Sequence, residues 1–128
     1  MLTFEYDPSY EPLMPVATVT LIHPNQSNNL IEVTALVDSG ADGTLLPIAI
    51  LNQINAPLIG DGYMRGVLGT SEPVDICLVQ MQIGPHYVGG IRAAGMPDGS
   101  EAIIVGRDVL NHFVVTLNGL ASMVEITS

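Results

Sequence analysis

Apolar and polar residues alternate with a period of two along several short segments of this chain, which is the pattern of half-buried β-strands. Between Val16 and Ile22, threonines alternate with alanine, valine and leucine, and a polar turn at 24–29 leads into a second alternating segment at 31–35. These two segments therefore predict a β-hairpin, which continues directly into the stretch around Asp38.

Further strands are predicted in the second half of the chain. The apolar segment 74–83 is long enough for an extended strand, and another strand runs through 87–93. In the first of these strands we expect the inward-facing side chains to be Ile76, Leu78, Val79 and Met81. The pair Asn118-Gly119 between two apolar segments is the strongest hairpin signal in the chain.

Helical periodicity is confined to two short segments. The first segment is 48–54, which follows Pro47, and proline is favoured at the first position of a helix. The second segment, 109–113, is long enough for only one or two turns. The apolar stretch 102–105 predicts a strand that is buried on both faces. Many short strands with closely spaced turns predict an all-β fold, a small closed β-barrel-like domain with one or two short helices.

The chain has 128 residues, which is enough for one domain. We expect this domain to span 16–128 and to follow an extended N-terminal arm at 1–15, where prolines at positions 8, 12 and 15 interrupt regular structure. Hydrophobic residues make up 48% of the chain. A sheet-rich core and an apolar interface with another subunit explain this fraction equally well.

The charge balance excludes several classes of partner. The chain has 13 acidic and 3 basic residues and a net charge of −10, which opposes binding to nucleic acid or to an anionic membrane surface. No apolar segment reaches the length of a membrane span, and Met1–Asp7 lacks the basic and apolar regions of a signal peptide. We therefore expect a cytoplasmic protein that binds neither nucleic acid nor membrane. The single cysteine, Cys77, excludes an internal disulfide and is expected to be a buried, inert thiol.

The sequence Asp38-Ser39-Gly40-Ala41 carries the clearest chemical signal. It lies between the end of one apolar strand and a second apolar segment at 44–47, so the carboxylate is expected in a tight turn within a sheet. An acid followed by a small hydroxyl residue and glycine is the form in which aspartic proteases present their catalytic carboxylate. The common alternative is an Asx or Ser turn that only connects two strands.

Two further segments make the resemblance specific. The motif at Asp38 is similar to that of the retropepsin-like aspartic proteases, with Ser39 where retroviral members usually have threonine. Residues 103–110 resemble the apolar strand, glycine and short helix that close this fold, and residues 65–70 lie where the family has its flap. The resemblance covers most of the chain from 31 to 117. It implies a single-domain aspartic endopeptidase that acts on extended peptide or protein substrates.

Peptide hydrolysis of this kind needs two carboxyl groups, one to activate a water molecule and one, protonated, to polarise the scissile carbonyl. The chain holds one Asp-Ser-Gly, because the other turn acids, Asp61 and Asp98, are followed directly by glycine. We therefore expect a homodimer that brings Asp38 and its mate together on a two-fold axis. Since adjacent carboxyl groups share a proton, we expect mildly acidic conditions to favour activity.

The resemblance also implies roles for the residues around this carboxylate. The Ser39 hydroxyl would hold the opposite loop across the axis, Gly40 would let the backbone approach the water, and Ala41 would keep the substrate side narrow. Asp42 and Arg107 would form an ion pair between the active-site loop and the C-terminal helix. If that pair is partly buried, its loss would cost roughly 3–5 kcal/mol; the alternative is an exposed arginine at a helix start.

A glycine-bearing hairpin tip is expected to close over an extended peptide and to add backbone hydrogen bonds to it. This flap would consist of Gly66, Val67, Leu68 and Gly69. Its apolar pair, together with the general lack of basic residues, predicts a cleft that prefers hydrophobic side chains next to the cut. An ordinary surface hairpin is the alternative.

The sequence predicts neither a metal nor another cofactor. The stretch 38–43 superficially resembles a calcium loop, but Gly40 occupies its third position and Ala49 its closing position, so the ligand shell cannot be completed. The three histidines and Cys77 are too dispersed for a zinc site.

Two other functions stay open at the level of sequence. A peptide-binding or assembly module could keep the same dimeric fold without cleaving its ligand, although such a module has no chemical need for Asp38. A small β-barrel interaction domain unrelated to proteases would require both motif matches to be accidental.

Overall fold

The structure is a computed structural model that describes residues 1–66, 68–97 and 101–128. Within these residues the chain forms ten β-strands and two short helices. The strands are β1 (Leu2–Glu5), β2 (Val16–His23), β3 (Gln26–Val37), β4 (Leu45–Pro47), β5 (Leu58–Arg65), β6 (Ser71–Ile83), β7 (His86–Met96), β8 (Ile104–Val105), β9 (Val114–Asn118) and β10 (Met123–Thr127), and the helices are α1 (Ile48–Gln53) and α2 (Arg107–Leu110).

Seven strands form one sheet in the order β2-β3-β8-β4-β7-β6-β5. Because β2 also pairs with β6, six of these strands close into a ring, and β5 pairs with β6 beyond it. Most neighbours are antiparallel, whereas β8 runs parallel to β3 and β4 runs parallel to β7. The expected all-β domain with short helices is confirmed, and the ring is compatible with barrel-like closure.

The first hairpin shows why alternation produced a strand pair here. Thr18 lies opposite Thr34 on the exposed face, and Ala17 lies opposite Ala35 in the core. The predicted hairpin is therefore confirmed, but its turn is shorter than the polar stretch 24–29, because β3 already begins at Gln26. Most of the polar residues at 24–29 therefore belong to the exposed beginning of β3, where polar side chains are in contact with water.

The core fills the inside of the ring. Its largest fully buried side chains come from several strands and from α1, and they include Leu21, Leu46, Leu51, Val79 and Met81. Helix α1 confirms the predicted short helix and follows Pro47 directly. Helix α2 begins two residues before the predicted segment 109–113, and 111–113 continue it only as hydrogen-bonded turns.

The register of β6 differs from the sequence expectation. Cys77, Val79 and Met81 are buried, whereas Ile76 and Leu78 are half-buried. The expectation was right for Val79 and Met81 and wrong for the other pair, because side chains one residue apart in a strand face opposite sides of the sheet. A register shift between Val79 and Met81 in the pairing with β7 adds to the ambiguity of the pattern.

The chain termini form a second sheet of three strands in the order β1-β10-β9. The predicted N-terminal arm thus contains a regular strand, and Asp7 and Met14 form an additional bridge within it. The Asn118-Gly119 hairpin is confirmed as the connection of β9 and β10. Its loop is longer than a two-residue turn, and the Asn118 Oδ1 accepts a hydrogen bond from the backbone N–H of Ala121 at 3.1 Å.

The stretch 102–105 is less buried than its composition suggests. Only Ile104 and Val105 form β8, and of the four residues only Val105 is buried. The expectation of burial on both faces therefore holds for one residue.

In the described part of the chain no helix combines the length and the apolar character that crossing a membrane requires, and a cytoplasmic location stays a prediction.

Candidate active site

Asp38 follows the last residue of β3, and the backbone fixes its position. Its N–H donates a hydrogen bond to the carbonyl of Val105 in the neighbouring strand β8 at 3.1 Å. The backbone N–H of Gly40 donates to the Asp38 Oδ1 at 2.9 Å, and the N–H of Ala41 donates to the Asp38 carbonyl at 3.2 Å. The half-buried carboxylate is thus oriented by its own turn, as the Asx alternative requires, while Oδ2 accepts no hydrogen bond from the described residues.

Helix α2 anchors the active-site loop through Arg107. Its backbone N–H donates to the Ala41 carbonyl at 2.9 Å, and its Nη1 donates to the Ser39 carbonyl at 2.7 Å. The expected bridge from the loop to this helix exists, but the expected ion pair with Asp42 is not formed. The reason is that the turn presents its carbonyl oxygens to α2, so the exposed guanidinium binds main chain instead of a carboxylate.

A second anchor was missed by the sequence argument. Thr44 is buried, and its N–H and Oγ–H donate to the two carboxylate oxygens of Asp108 at 3.0 and 2.8 Å. The backbone N–H of Gly106 donates to the Thr44 Oγ at 3.5 Å. Asp108 directly follows Arg107 in the sequence, so both anchors come from the first two residues of α2. The carboxylate that joins this helix to the loop is Asp108, and its partner Thr44 lies 64 residues earlier in the sequence.

Gly106 lets the helix start lie directly on the loop. A Cβ atom at this position would be 2.5 Å from the Gly43 carbonyl oxygen and 2.9 Å from the Ala41 carbonyl oxygen. Neither contact can be relieved by rotating a side chain, because both atoms belong to the backbone. Glycine is therefore required at this position by close approach.

The hairpin of β5 and β6 forms where the flap was expected. Arg65 lies opposite Ser71, and beyond them the N–H of Gly66 donates to the Thr70 carbonyl at 2.9 Å. Gly69 has a φ of 81°, which favours glycine, and Leu68 is 92% exposed. Val67 lies outside the described residues. The hairpin is thus confirmed, and its action as a flap stays a prediction.

A cleft of about 640 Å³ lies between the active-site loop, this hairpin and β7. Loop residues 40–45 form one wall, and Tyr63, Met64, Val74 and Ile76 provide apolar surface from the hairpin. Asp38 is not among its lining residues, although Gly40 and Ala41 beside it are. Asp38 is therefore beside the cleft, next in sequence to the exposed Ser39.

The cleft also contains charges that the sequence argument did not bring together. All three arginines line it, namely Arg65, Arg92 and Arg107. The hydrophobic preference predicted from the sequence relied partly on the scarcity of basic residues. That scarcity is real for the chain, but it does not apply to this cleft.

Two other expectations concern groups outside the cleft. Cys77 is a buried free thiol, and burial, with the nearby charge of Asp75 as a smaller cause, raises its pKa above the ordinary value. These features agree with an inert role. Within the described ranges, no three His, Cys, Asp or Glu side chains come together as a metal site requires.

The match to a known protein family spans the elements just described. The family described as "gag-polyprotein putative aspartyl protease" matches residues 25–112, which is more than half of the chain and includes the loop at Asp38, the hairpin and α2. The chain belongs to this family. A comparison with curated proteins found no match.

Solved structures show the same fold. A retropepsin-like aspartic protease from Rickettsia conorii has a TM-score of 0.68 and 12% identity, over 98% of this chain and 88% of that one. The EIAV protease, solved with an inhibitor, has a TM-score of 0.60 and 22% identity, over 77% and 86%. The retroviral protease-like domain of Ddi1 from Leishmania major has a TM-score of 0.53 and 17% identity, over 89% and 90%. The resemblance to retropepsin-like aspartic proteases is thereby confirmed for family and fold.

Proposed function

We propose that this protein is an aspartic endopeptidase that hydrolyses peptide bonds as a homodimer, with one Asp38 from each chain in the catalytic pair. The observation that carries the proposal is the loop at Asp38. This loop carries the Asp-Ser-Gly motif, directly follows β3 and is held by two anchors from α2. It lies beside a cleft that is large enough for a peptide segment.

In the proposed reaction the two carboxyl groups share one proton. The ionised Asp38 accepts a proton from a water molecule, whose oxygen forms a bond to the scissile carbonyl carbon while the protonated mate donates a hydrogen bond to the carbonyl oxygen. The resulting tetrahedral intermediate collapses, the C–N bond breaks, and the leaving amine takes up a proton from the pair. The pair then returns to its starting charge without a cofactor.

The anchors of the loop match what this chemistry requires. A catalytic carboxylate must be held within a fraction of an ångström of its working position. The hydrogen bonds of Arg107 to the loop carbonyls and of Thr44 to Asp108 restrain both ends of the loop against one helix. The exposed Ser39 hydroxyl is then available to the partner's loop across the axis.

A second copy of the chain would also cover exposed apolar surface. In the terminal sheet, Val114 and Leu117 on the edge strand β9 are 64% and 48% exposed, and Leu120 in the following loop is fully exposed. Large exposed apolar side chains on an edge strand and its loop are typical of a subunit interface. They support a homodimer in which the termini contribute contacts, with β1 retained in its own chain's sheet.

The hairpin is proposed to close over the bound peptide. Tyr63 and Leu68 are 79% and 92% exposed, so they have apolar surface that a substrate can cover. An extended peptide beneath the tip would gain backbone hydrogen bonds and lose contact with water. Val67, the remaining apolar residue of the predicted flap, belongs to the same proposal.

Activity is expected to depend on pH through the pair as a unit. When both carboxyl groups are protonated no base is present, and when both are ionised no acid is present, so the rate is highest where the pair holds one proton. Since repulsion between two adjacent negative charges favours the singly protonated pair, we expect maximal cleavage under mildly acidic conditions.

The proposal is tested by cleavage of a complex peptide mixture between about pH 4 and 7, with new termini identified by mass spectrometry. Wild type is expected to produce new termini, and Asp38→Asn is expected to produce none. Asp61→Asn should cut like wild type because this acid is exposed on β5 and does not line the cleft. Sedimentation of each protein at several concentrations verifies the dimer. If folded dimers of wild type cut nothing, the protein is instead a peptide-binding module on this fold.

A further inference from the structure

The positive charges of this protein converge on one place. The chain has 3 lysine and arginine residues in total and a net charge of −10. All of these cations line the cleft, although they come from β5, β7 and α2. In an acidic protein, cations placed only for stability are expected beside the acidic residues scattered over the surface, and here they surround the candidate active site instead.

Two of these charges have no hydrogen-bond or ion-pair partner among the described residues. Arg107 is committed to the Ser39 carbonyl. Arg65 and Arg92 are exposed, and neither forms an ion pair or a hydrogen bond with another side chain in the described ranges. The only acid among the described residues that line the cleft is Asp42. The wall opposite the active-site loop therefore has an excess of positive charge available to a ligand.

We propose that the cleft selects peptide segments that carry an aspartate or glutamate close to the cut, and that Arg65 and Arg92 bind this acidic side chain. This proposal rests on the proposed function, because it takes the cleft as the site of the peptide. A guanidinium group presents its N–H donors in a planar fork that matches the two oxygens of a carboxylate. Arg65 directly precedes the hairpin tip, so closure of the hairpin would bring it towards the bound segment.

The remaining charges limit the length of the acidic segment. At an ionic strength of 0.1 M, a charge is screened beyond about 10 Å, so one acidic side chain in the cleft interacts chiefly with the charges that line it, which among the described residues are three arginines and Asp42. A nucleic acid or a long acidic tract would extend past the cleft and meet the surplus of carboxylates that gives the chain its net charge of −10. The substrate is therefore a peptide with an isolated acidic residue.

The apolar part of the cleft complements this preference. Tyr63, Val74 and Ile76 also line it, so hydrophobic side chains directly at the cut remain the expectation. The acidic residue is assigned to a neighbouring position. An acidic side chain next to a hydrophobic pair is thus the pattern that this cleft recognises.

The test uses fluorescein-labelled octapeptides with two central apolar residues and either glutamate or glutamine at each flanking position. The enzymes are wild type, the double variant Arg65→Gln/Arg92→Gln, and the control Ser27→Glu/Asn28→Asp. The control has the same net charge as the double variant, but its changes lie on exposed residues at the far end of β3 from Asp38. At about 3.3 Å per residue this separation is roughly 30 Å.

Wild type is expected to cleave the best glutamate peptide with a kcat/KM about tenfold higher than its glutamine counterpart. The double variant should lose this ratio, whatever its absolute rate on the glutamine peptide, and the control should keep it. Equal cleavage of both peptides by wild type, or an unchanged ratio in the double variant, would overturn the proposal and leave the proposed function intact.

Absence of any cleavage would instead count against the proposed function, and binding then decides the present inference. Fluorescence anisotropy of the same peptides with Asp38→Asn measures affinity without chemistry. Tighter binding of a glutamate peptide, lost when Arg65→Gln and Arg92→Gln are added, would support the arginine site. Equal affinity for both peptides would refute it.

Discussion

The loop at Asp38 and the β5–β6 hairpin lie on the same cleft, but the loop and the tip of the hairpin are held in opposite ways. The loop is hydrogen-bonded to β8 and α2 and lies against Gly106 with no space for a side chain. In the described part of the tip, Gly66 bonds only within the hairpin, and Leu68 is 92% exposed. The loop is therefore held by contacts with other elements, whereas the described part of the tip bonds only to its own hairpin.

The largest effect is expected from filling the contact between helix and loop. In Gly106→Ala the new methyl group meets backbone atoms of Gly43 and Ala41 at 2.5 and 2.9 Å. We expect a loss of about 3 kcal/mol in the free energy of unfolding, because helix and loop must separate. Urea denaturation measures it. In Gly119→Ala the added Cβ has no neighbour within 4 Å, so this variant is the control, and equal stability of the two would show that the contact is not tight.

A smaller loss is expected when the second anchor is weakened. Asp108→Asn keeps the shape of the side chain but removes the charge that accepts both hydrogen bonds from Thr44. The expected cost is about 2 kcal/mol, as for hydrogen bonds to charged groups. The matched variant Asp61→Asn, at an exposed acid on β5, should stay within about 0.5 kcal/mol of wild type. Identical denaturation midpoints would contradict the role of Asp108.

The variant Arg107→Ala distinguishes the observed hydrogen bond to the loop from the ion pair with Asp42 that the sequence predicted. Because this side chain is exposed and binds a main-chain carbonyl, we expect a loss of about 1 kcal/mol together with reduced cleavage, as the loop loosens. A double-mutant cycle with Asp42→Asn should show almost no coupling between the two side chains. A loss of 3–5 kcal/mol with strong coupling would restore the buried ion pair.

A substitution in the hairpin tip should have the opposite effect to those in the loop anchors, with little change in stability and a clear change in peptide binding. Leu68→Ser replaces a side chain that is 92% exposed, so the free energy of unfolding should change by no more than about 0.5 kcal/mol. If the tip covers the substrate, KM for a cleaved peptide should rise several-fold. An unchanged KM would mean that the hairpin is an ordinary surface loop.

The smallest effect concerns the base of the same hairpin, where β6 enters the core. Burial, and to a lesser extent the charge of Asp75, raises the pKa of the Cys77 thiol above its ordinary value of 9.0. The folded state therefore holds the proton more tightly than the unfolded state. Stability from this group is complete below about pH 9 and falls as the pH rises further.

The measurement is the free energy of unfolding from pH 8 upward, with Cys77→Ala as the control that should lack this component. Alkylation of the native thiol near neutral pH should also be slow, because Cys77 is buried. Rapid alkylation in the folded protein would show that the hairpin opens along its whole length.

The sequence predicted the local parts of this fold well, because each depends on neighbouring residues. Alternation located the first hairpin, Asn118-Gly119 located the last one, and the Asp-Ser-Gly motif located the loop at the end of β3. The strand within the N-terminal arm was missed because its partner β10 lies at the other end of the chain. The prediction of the inward face of β6 was partly wrong because residues 76–79 are all apolar. Such a segment has no polar residues to show which side chains face the core.

In the candidate site, too, the features that depend on neighbouring residues could be predicted and the contacts between distant residues could not. The helix start at Arg107 was recognisable from its sequence context, whereas the pairing of Asp108 with Thr44 and the meeting of all three arginines depend on how distant strands are arranged around the cleft. No spacing along the chain encodes those contacts. They emerge only when the ring of strands closes and brings β5, β7 and α2 to one side.

The central claim is that two chains each contribute one Asp38 to a single catalytic pair, and subunit mixing tests it most directly. Wild type and Asp38→Asn are unfolded together, refolded at known ratios and assayed on one cleaved peptide at constant total protein. If both carboxylates are required, activity falls with the square of the wild-type fraction, so an equal mixture retains about one quarter of the wild-type rate. A linear decrease to about one half would show that each chain acts alone and would contradict the account.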